Sequence, residues 1–422
     1  MIRSLSRAHG VESRFSAPPS KSYTHRAMVI AALANGMSFL HNPLIAEDTG
    51  LTRYALESLG VKIHADTALI RISGRDGQFT CGEEKTLDLD NSGTTLRLFT
   101  ALALLCDQAI ILTGSSRMQE RPVGPLADAL SSLGGTVEFL KKTGYPPLRV
   151  RGTLKGGTAK IDGSMSSQFI SSVLIASPYA QQPVELEIPS LPVSRSYLDV
   201  TVTIMRAFGA RVMMDDQHRW FQVSNRQRYQ ARSYDIEGDY SSASYFFAIA
   251  AICGGRVTVE NLNPHSVQGD RQFLEILRSM GCTVTEGSDT ITVERTGELT
   301  GTDCDMSSLP DTVQTLCMVA AVASTPTTIR GITHLKYKES DRVLGTAQRL
   351  NQLGGDVRVE PDTITVVPRP LHGGTVDPGN DHRTAMSFAV LGLGIGGVTI
   401  ENAECVNKSF PGFWDALAGA GL

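Results

Sequence analysis

One pattern recurs six times along this chain, and it sets the scale on which the chain can fold. Each copy opens with a short polar cluster directly ahead of a run rich in Ala and Leu. The clusters are Ser20-Lys21-Ser22, Ser92-Gly93-Thr94, Ser166-Ser167, Ser241-Ser242, Pro310-Asp311 and Asp381-His382, roughly seventy residues apart. A β-type run follows, ending near Asn42, Gly114, Ser190, Asn261, Gly331 and Asn402. A second helix then closes on glycine, as in Leu59-Gly60-Val61, Leu133-Gly134, Phe208-Gly209, Met280-Gly281 and Leu353-Gly354. Glycine suits a helix C-terminus because it accepts the left-handed conformation needed there.

Each copy therefore reads as helix, strand, helix, then strands. The period is longer than that of common solenoids, and one copy has enough apolar surface for a sheet covered on one face by helices. Six copies divide into two groups of three, with a break near 234–239. The sixth copy ends at Leu422, just after Gly419 and Gly421, where strands should follow. A strand-like piece over residues 1–15 precedes the first helix and has no partner in the pattern. The N-terminal piece is thus expected to supply the missing strand to the last repeat. That predicts an α/β fold of two lobes: a discontinuous one made of 1–17 and 236–422, and an inserted one spanning 18–235. The crossings fall near Ala17-Pro18-Pro19 and 234–238.

Composition narrows the function. A net charge of −4 argues against a nucleic-acid protein held by bulk charge, so anion binding must come from local basic residues. Seven scattered cysteines form no C-x-x-C pair and no zinc-type cluster, so reduced, packed thiols are expected, with Cys106, Cys253 and Cys317 inside apolar helical runs. The N-terminus lacks the layout of a signal peptide. The most apolar stretches, 98–106 and 246–253, are too short to span a bilayer and read as core helices. A cytoplasmic enzyme is expected.

Six helix starts are six places where unpaired N–H groups and the helix dipole favour an anion. Ser, Thr or Asp at such places is ordinarily an N-cap. Charged neighbours change the balance. Lys21 and Arg26 flank a helix start around Ser22, which is unfavourable unless an anion sits there. In Asn91-Ser92-Gly93-Thr94-Thr95-Leu96-Arg97, Gly93 would let a ligand approach the backbone. Arg121, in Arg117-Met118-Gln119-Glu120-Arg121-Pro122, is placed to reach a carboxylate or phosphate. The segment Lys336-Tyr337-Lys338-Glu339-Ser340-Asp341-Arg342 is the densest charge cluster and holds the equivalent position in its repeat. Such runs are usually solvated faces. Asp381-His382-Arg383 and Lys408-Ser409-Phe410-Pro411 add further cations. Basic residues gathered at element ends in an acidic chain point to one or two small, highly charged anions.

Together these motifs closely resemble the enolpyruvyl transferases of the EPSP synthase family. The match also includes Asp162-Gly163-Ser164-Met165-Ser166-Ser167-Gln168-Phe169, Ser194, Tyr197, Gly238-Asp239, Ser241-Ser242-Ala243-Ser244-Tyr245, Pro310-Asp311 and Asn380-Asp381. It runs in order from end to end. The resemblance implies two lobes, each of three βαβαββ units, with the N-terminal strand in the second and substrate held in a cleft between them. It implies transfer of the enolpyruvyl group of phosphoenolpyruvate to the 5-hydroxyl of shikimate 3-phosphate, on the route to chorismate and the aromatic amino acids.

By the same resemblance, shikimate 3-phosphate would be bound by Lys21, Ser22, Arg26, Ser166, Ser167, Gln168, Ser194, Tyr197, Asp311 and Lys338. Phosphoenolpyruvate would be bound by Lys21, Asn91, Gly93, Thr94, Arg121, Gln168, Arg342, Arg383 and Lys408. His334 stands where some members place an Asn that touches the shikimate phosphate, and is a further candidate. Ser92 and Thr95 bear on how analogues of phosphoenolpyruvate fit. The reaction needs a base at the hydroxyl and an acid at C3. Asp311 is the candidate base, Glu339 the candidate donor, Lys21 a sharer in proton transfer, and His382 a residue that orients its neighbours. As bland readings, Asp311 would be a helix N-cap and Glu339 a surface ion pair. No metal or organic cofactor is implied, and the partners expected are the two small substrates, taken by a monomer. The sister enzyme acting on UDP-N-acetylglucosamine carries a reactive Cys in the loop equivalent to 117–121, where this chain has none. A non-catalytic repeat scaffold would leave the cationic loops beside Asp311 and Glu339 without a purpose.

Overall fold

The computed structural model describes residues 1–422. The chain divides into two compact units, one of Met1–Pro19 with Glu237–Leu422 and one of Ser20–Ile236. Each has its own continuous apolar core.

The second repeat shows the plan. Strand Lys85–Asp88 leads into helix Gly93–Leu102, strand Ile110–Thr113, helix Gly124–Ser132 and the antiparallel pair Gly135–Phe139 and Leu148–Gly152. The first two strands are parallel, which a helical crossover permits, and the last pair adds antiparallel. The third and fifth repeats build their four-stranded sheets in the same order.

The other three sheets are closed by strands from far along the chain. Met37–His41 pairs in parallel with Ser233–Asp235, from the end of the same unit. Gly255–Glu260 pairs in parallel with Val11–Ser16. Val398–Ile400 pairs with Gly374–Val376 on one side and antiparallel with Arg3–Leu5 on the other. The N-terminal piece thus serves two repeats, the fourth and the sixth. Gly10, at φ 61°, lies between its two strands. Alternation sets each strand's inward face: Leu5, Val11 and Phe15 are buried, and Phe15 stacks on Phe246 with ring centroids 4.1 Å apart.

The punctuation is physical. Gly60, Gly134, Gly209, Gly281, Gly354 and Gly421 follow the outer helices at φ between 74° and 105°. Asn42, Asn261 and Asn402 end their strands in the left-handed region at φ 51°, 60° and 45°, which Asn tolerates better than most residues.

Each repeat contributes an inner and an outer helix. Inner helices are buried almost all round; in Tyr240–Cys253 every residue is buried. In the discontinuous unit Tyr240–Cys253, Val313–Ala321 and His382–Ile395 pack on one another. Their Ala, Ser and Gly content allows close approach at interior packing density. Truncating a fully buried side chain such as Leu316 would cost about 2–5 kcal/mol. Outer helices are one-sided: Arg342–Gln352 buries Val343, Ala347 and Leu350. Cys253 and Cys317 are buried in inner helices, whereas Cys106 falls just past the end of its helical segment and is only half-buried. No helix is long and apolar enough to cross a membrane.

Candidate active site

In the contiguous unit the starts of three inner helices carry most of the polar side chains. Lys21 opens helix Lys21–Leu33, and its Nζ donates to Asp48 Oδ2 at 2.9 Å. Asp48 lies in the first turn of outer helix Glu47–Ser58 and is 2% exposed. His25 Nε2 is 3.5 Å from the same oxygen. Burial pushes the His25 pKa below its usual value, with Asp48 opposing. From His25 Nδ1 a line of hydroxyls runs through Thr52 and Thr95 to Ser92, each step 2.7 Å.

Arg26 lies one turn beyond Ser22. It is buried, donates to Thr201 Oγ1 at 2.7 Å and to the Ser22 carbonyl at 3.1 Å, and lies 5.8 Å from the Tyr197 ring centroid. Burial pulls its pKa down to about 10. Thr201 also bonds Ser171, at 2.8 Å, which ties outer helix Ser196–Ala207 to inner helix Ser167–Ala176. Ser194, at φ 55°, precedes that outer helix.

Arg121 Nη1 donates to the Asn91 carbonyl and side-chain oxygen at 3.3 and 3.2 Å. Its guanidinium lies over Gly93, where an added Cβ would stand 2.5 Å from Nη2. Gln168 bridges two helices, with Oε1 accepting from Arg97 Nη1 at 2.8 Å and Nε2 donating to Thr94 Oγ1 at 3.0 Å. Ser166 caps helix Ser167–Ala176 through the Gln168 N–H. Lys21, Ser22, Arg26, Asn91, Gly93, Thr94, Arg121, Ser166, Ser167, Gln168, Ser194 and Tyr197 therefore belong to one hydrogen-bonded and packed region of this unit, rich in cations and hydroxyls.

In the discontinuous unit the organising group is Arg342, at the start of helix Arg342–Gln352 and 3% exposed. Its Nη1 donates to Asp311 Oδ1 at 2.9 Å, Nη2 to Glu339 Oε2 at 2.7 Å, and Nε to Asp381 Oδ2 at 2.9 Å. Arg383 Nη2 reaches Asp311 Oδ2 at 2.7 Å, and its Nη1 reaches Tyr245 Oη at 3.3 Å. Asp381 caps the sixth inner helix through the Arg383 N–H. Burial would raise the Asp381 pKa, but Arg342 and His382 outweigh it and hold the carboxyl below its usual value. Asp270, bonded by Ser241, is pushed up to about 7 by burial and then by the Asp311 charge. His334 is driven down to about 3 by burial and by Lys338, against the opposing charge of Asp311. His382 opens the sixth inner helix and is fully buried, its Nδ1 3.9 Å from Asp381 Oδ1. Lys338 follows the short turn of helix Thr333–Tyr337, and Lys408 ends the turn Ala403–Lys408 packed on the sixth inner helix.

Two bland readings change. Asp311 precedes Thr312, the N-cap of helix Val313–Ala321, and its oxygens go to two guanidinium groups. Glu339, with its side chain 8% exposed, is in a buried ion pair. Removing one partner from such a cluster leaves an uncompensated charge, at about 3–5 kcal/mol.

Several polar residues here were not singled out by their sequence. Arg97 stands in a quoted motif, and a lone cation in an Ala/Leu helix was the signal. Tyr245 likewise closes a quoted motif, whereas Asp48, Thr201 and Asp270 carried none, because each gains meaning only from a partner many residues away.

The family model described as EPSP synthase (3-phosphoshikimate 1-carboxyvinyltransferase) matches residues 6–417. A Methanoregula boonei protein named 3-phosphoshikimate 1-carboxyvinyltransferase is 60% identical over 418 residues, covering 99% of each chain. One of the same name from Methanoculleus marisnigri is 57% identical over the full length of both. The solved structure of EPSP synthase from Acinetobacter baumannii superposes with a TM-score of 0.81 at 27% identity, over 99% of this chain and 98% of that one. With six repeats, the helix-start motifs in order and full-length likeness in sequence and fold, the chain belongs to the EPSP synthase (3-phosphoshikimate 1-carboxyvinyltransferase) family.

Proposed function

We propose that residues of both units divide the work of the family's reaction between charge neutralisation and proton transfer. The chain transfers the 1-carboxyvinyl group of phosphoenolpyruvate to the 5-hydroxyl of shikimate 3-phosphate, releasing phosphate, in aromatic amino acid biosynthesis. Both substrates carry phosphate and carboxylate. At an effective dielectric near 20, two like charges about 4 Å apart repel by about 4 kcal/mol, so countercharge must come first. Arg121, Arg342, Arg383, Lys21 and Lys408 supply it to phosphoenolpyruvate, with Asn91, Gly93, Thr94 and Gln168 lining its place. Lys21, Ser22, Arg26, Ser166, Ser167, Gln168, Ser194, Tyr197, Asp311, Lys338 and His334 hold shikimate 3-phosphate. Arginine suits the planar oxyanions because its donors form a fixed fork.

In the addition, the 5-hydroxyl oxygen bonds to C2 of phosphoenolpyruvate, its proton goes to Asp311, and C3 takes a proton from Glu339. In the elimination C3 returns a proton to Glu339, the C2–O bond to phosphate breaks, the departing phosphate takes the proton held by Asp311, and the enol ether forms. The steps balance without an oxidant or a net proton. The observation that carries these roles is that one buried guanidinium, Arg342, holds both Asp311 and Glu339. Lys21 assists proton transfer, and His382 orients Asp381 and its neighbours. The protein works as a cytoplasmic monomer.

The test is phosphate release from phosphoenolpyruvate with each acceptor supplied separately. Release that depends on shikimate 3-phosphate, and not on UDP-N-acetylglucosamine, is expected. Release with the nucleotide sugar alone would overturn the substrate assignment.

A further inference from the structure

Asp48 has no part in the roles above, yet it is the best-buried carboxylate near Lys21. Its Oδ2 accepts from Lys21 Nζ at 2.9 Å and lies 3.5 Å from His25 Nε2. Behind His25 the contacts to Thr52, Thr95 and Ser92 are each 2.7 Å. The three contacts from His25 Nδ1 to Ser92 are hydrogen bonds, whereas His25 Nε2 meets Asp48 by an electrostatic contact without a hydrogen bond. The line begins at the N-cap of helix Gly93–Leu102, beside Asn91, Gly93 and Thr94, and ends at the countercharge of Lys21. Thr52, Thr95 and His25 are all fully buried, so no competing solvent loosens it.

We propose that Asp48 is a positioning residue for Lys21, and that His25, Thr52 and Thr95 fasten it to Ser92, so that Lys21 and the 91–94 segment are set as one piece. The proposal rests on the reading that Lys21 binds phosphoenolpyruvate. Asp48 touches neither substrate; it holds the lysine ammonium where the anion will arrive. The line also explains why buried His25 faces an outer helix with a carboxylate and a hydroxyl one turn apart.

The test is a double-mutant cycle on the full chain, read as the KM for phosphoenolpyruvate and kcat at saturating shikimate 3-phosphate. Asp48→Asn should lower kcat/KM for phosphoenolpyruvate by about 10- to 100-fold, the worth of a charge-assisted hydrogen bond. The KM for shikimate 3-phosphate, which Lys21 also helps to hold, should rise by less than that for phosphoenolpyruvate. Asp48→Glu should restore part of the loss. In a Lys21→Ala background Asp48→Asn should add almost nothing, because the residue it positions is gone. Thr52→Val, which keeps shape and both charges, should give a smaller loss in the same parameter and guards against a misfolded Asp48→Asn. Full, multiplicative losses from Asp48→Asn in the Lys21→Ala background would overturn the proposal, as would a Thr52→Val enzyme with unaltered kinetics. If Lys21→Ala by itself left the phosphoenolpyruvate KM unchanged, the underlying assignment of Lys21 would fall first.

Discussion

Single residues here are decided by what their environment does to charge. Glu339 shares Arg342 with Asp311, so Glu339→Gln keeps a hydrogen-bond partner for the guanidinium but removes the paired negative charge and the carboxyl that can carry a proton. Turnover should fall by about 10²- to 10⁴-fold with modest changes in both KM values; steady-state rates near the parent's would remove Glu339 from the mechanism. Gly93 opens its helix outside the left-handed region, so Gly93→Ala is conformationally allowed, but its methyl would displace the Arg121 guanidinium lying over it. A rise of about tenfold or more in the phosphoenolpyruvate KM is expected, with the melting temperature nearly unchanged. An unaltered KM would show that Arg121 tolerates the methyl. His334, fully formed as a buried neutral ring, makes a pH prediction. Its folded pKa, about 3, lies below that of the unfolded chain, so the unfolded state binds the extra proton. Its contribution to stability is therefore complete above about pH 6.5 and is lost as the pH falls toward its folded value, at most about 1.4 kcal/mol per pH unit. Urea titrations of the protein and of His334→Asn should diverge below pH 6.5 in that direction; parallel curves would refute it.

At the scale of elements, the inner helices and glycine-closed outer helices were legible because their signals are local: an Ala-rich run, a cap, a C-terminal glycine. Strand partnership was less so. The fragment 1–15 reads as one strand-like piece, yet Arg3–Leu5 and Val11–Ser16 go to different sheets. Both carry one inward apolar face, and nothing in a short alternating run names its neighbour. Deleting residues 1–9 removes the antiparallel edge from Val398–Ile400 and the buried Leu5. A loss of roughly 2–4 kcal/mol is expected from the denaturant midpoint. No loss would mean that this edge is energetically idle.

At the scale of the molecule, the two units differ in how they depend on chain continuity. Ser20–Ile236 is contiguous and has its own core, and its first sheet is closed by Ser233–Asp235 from its own end. Expressed alone, it should unfold cooperatively on heating. Residues 237–422 alone lack a strand in each of two sheets, so they should melt broadly until a second chain of residues 1–19 restores the pairing. Cooperative melting of 237–422 without that segment would contradict the assignment of those strands as structural closures.

The amino-acid order alone determined the sixfold repeat, the α/β class and the polar motifs at helix starts. Each of these rests on residues within one or two turns of each other, where propensity and periodicity act. Tertiary structure alone decided that Asp48 holds Lys21, that Arg342 gathers Asp311, Glu339 and Asp381, and that the N-terminus is split between two sheets. Those choices join groups far apart in the chain, and they are settled by which closure buries every sheet edge and leaves each buried charge with a counterpart.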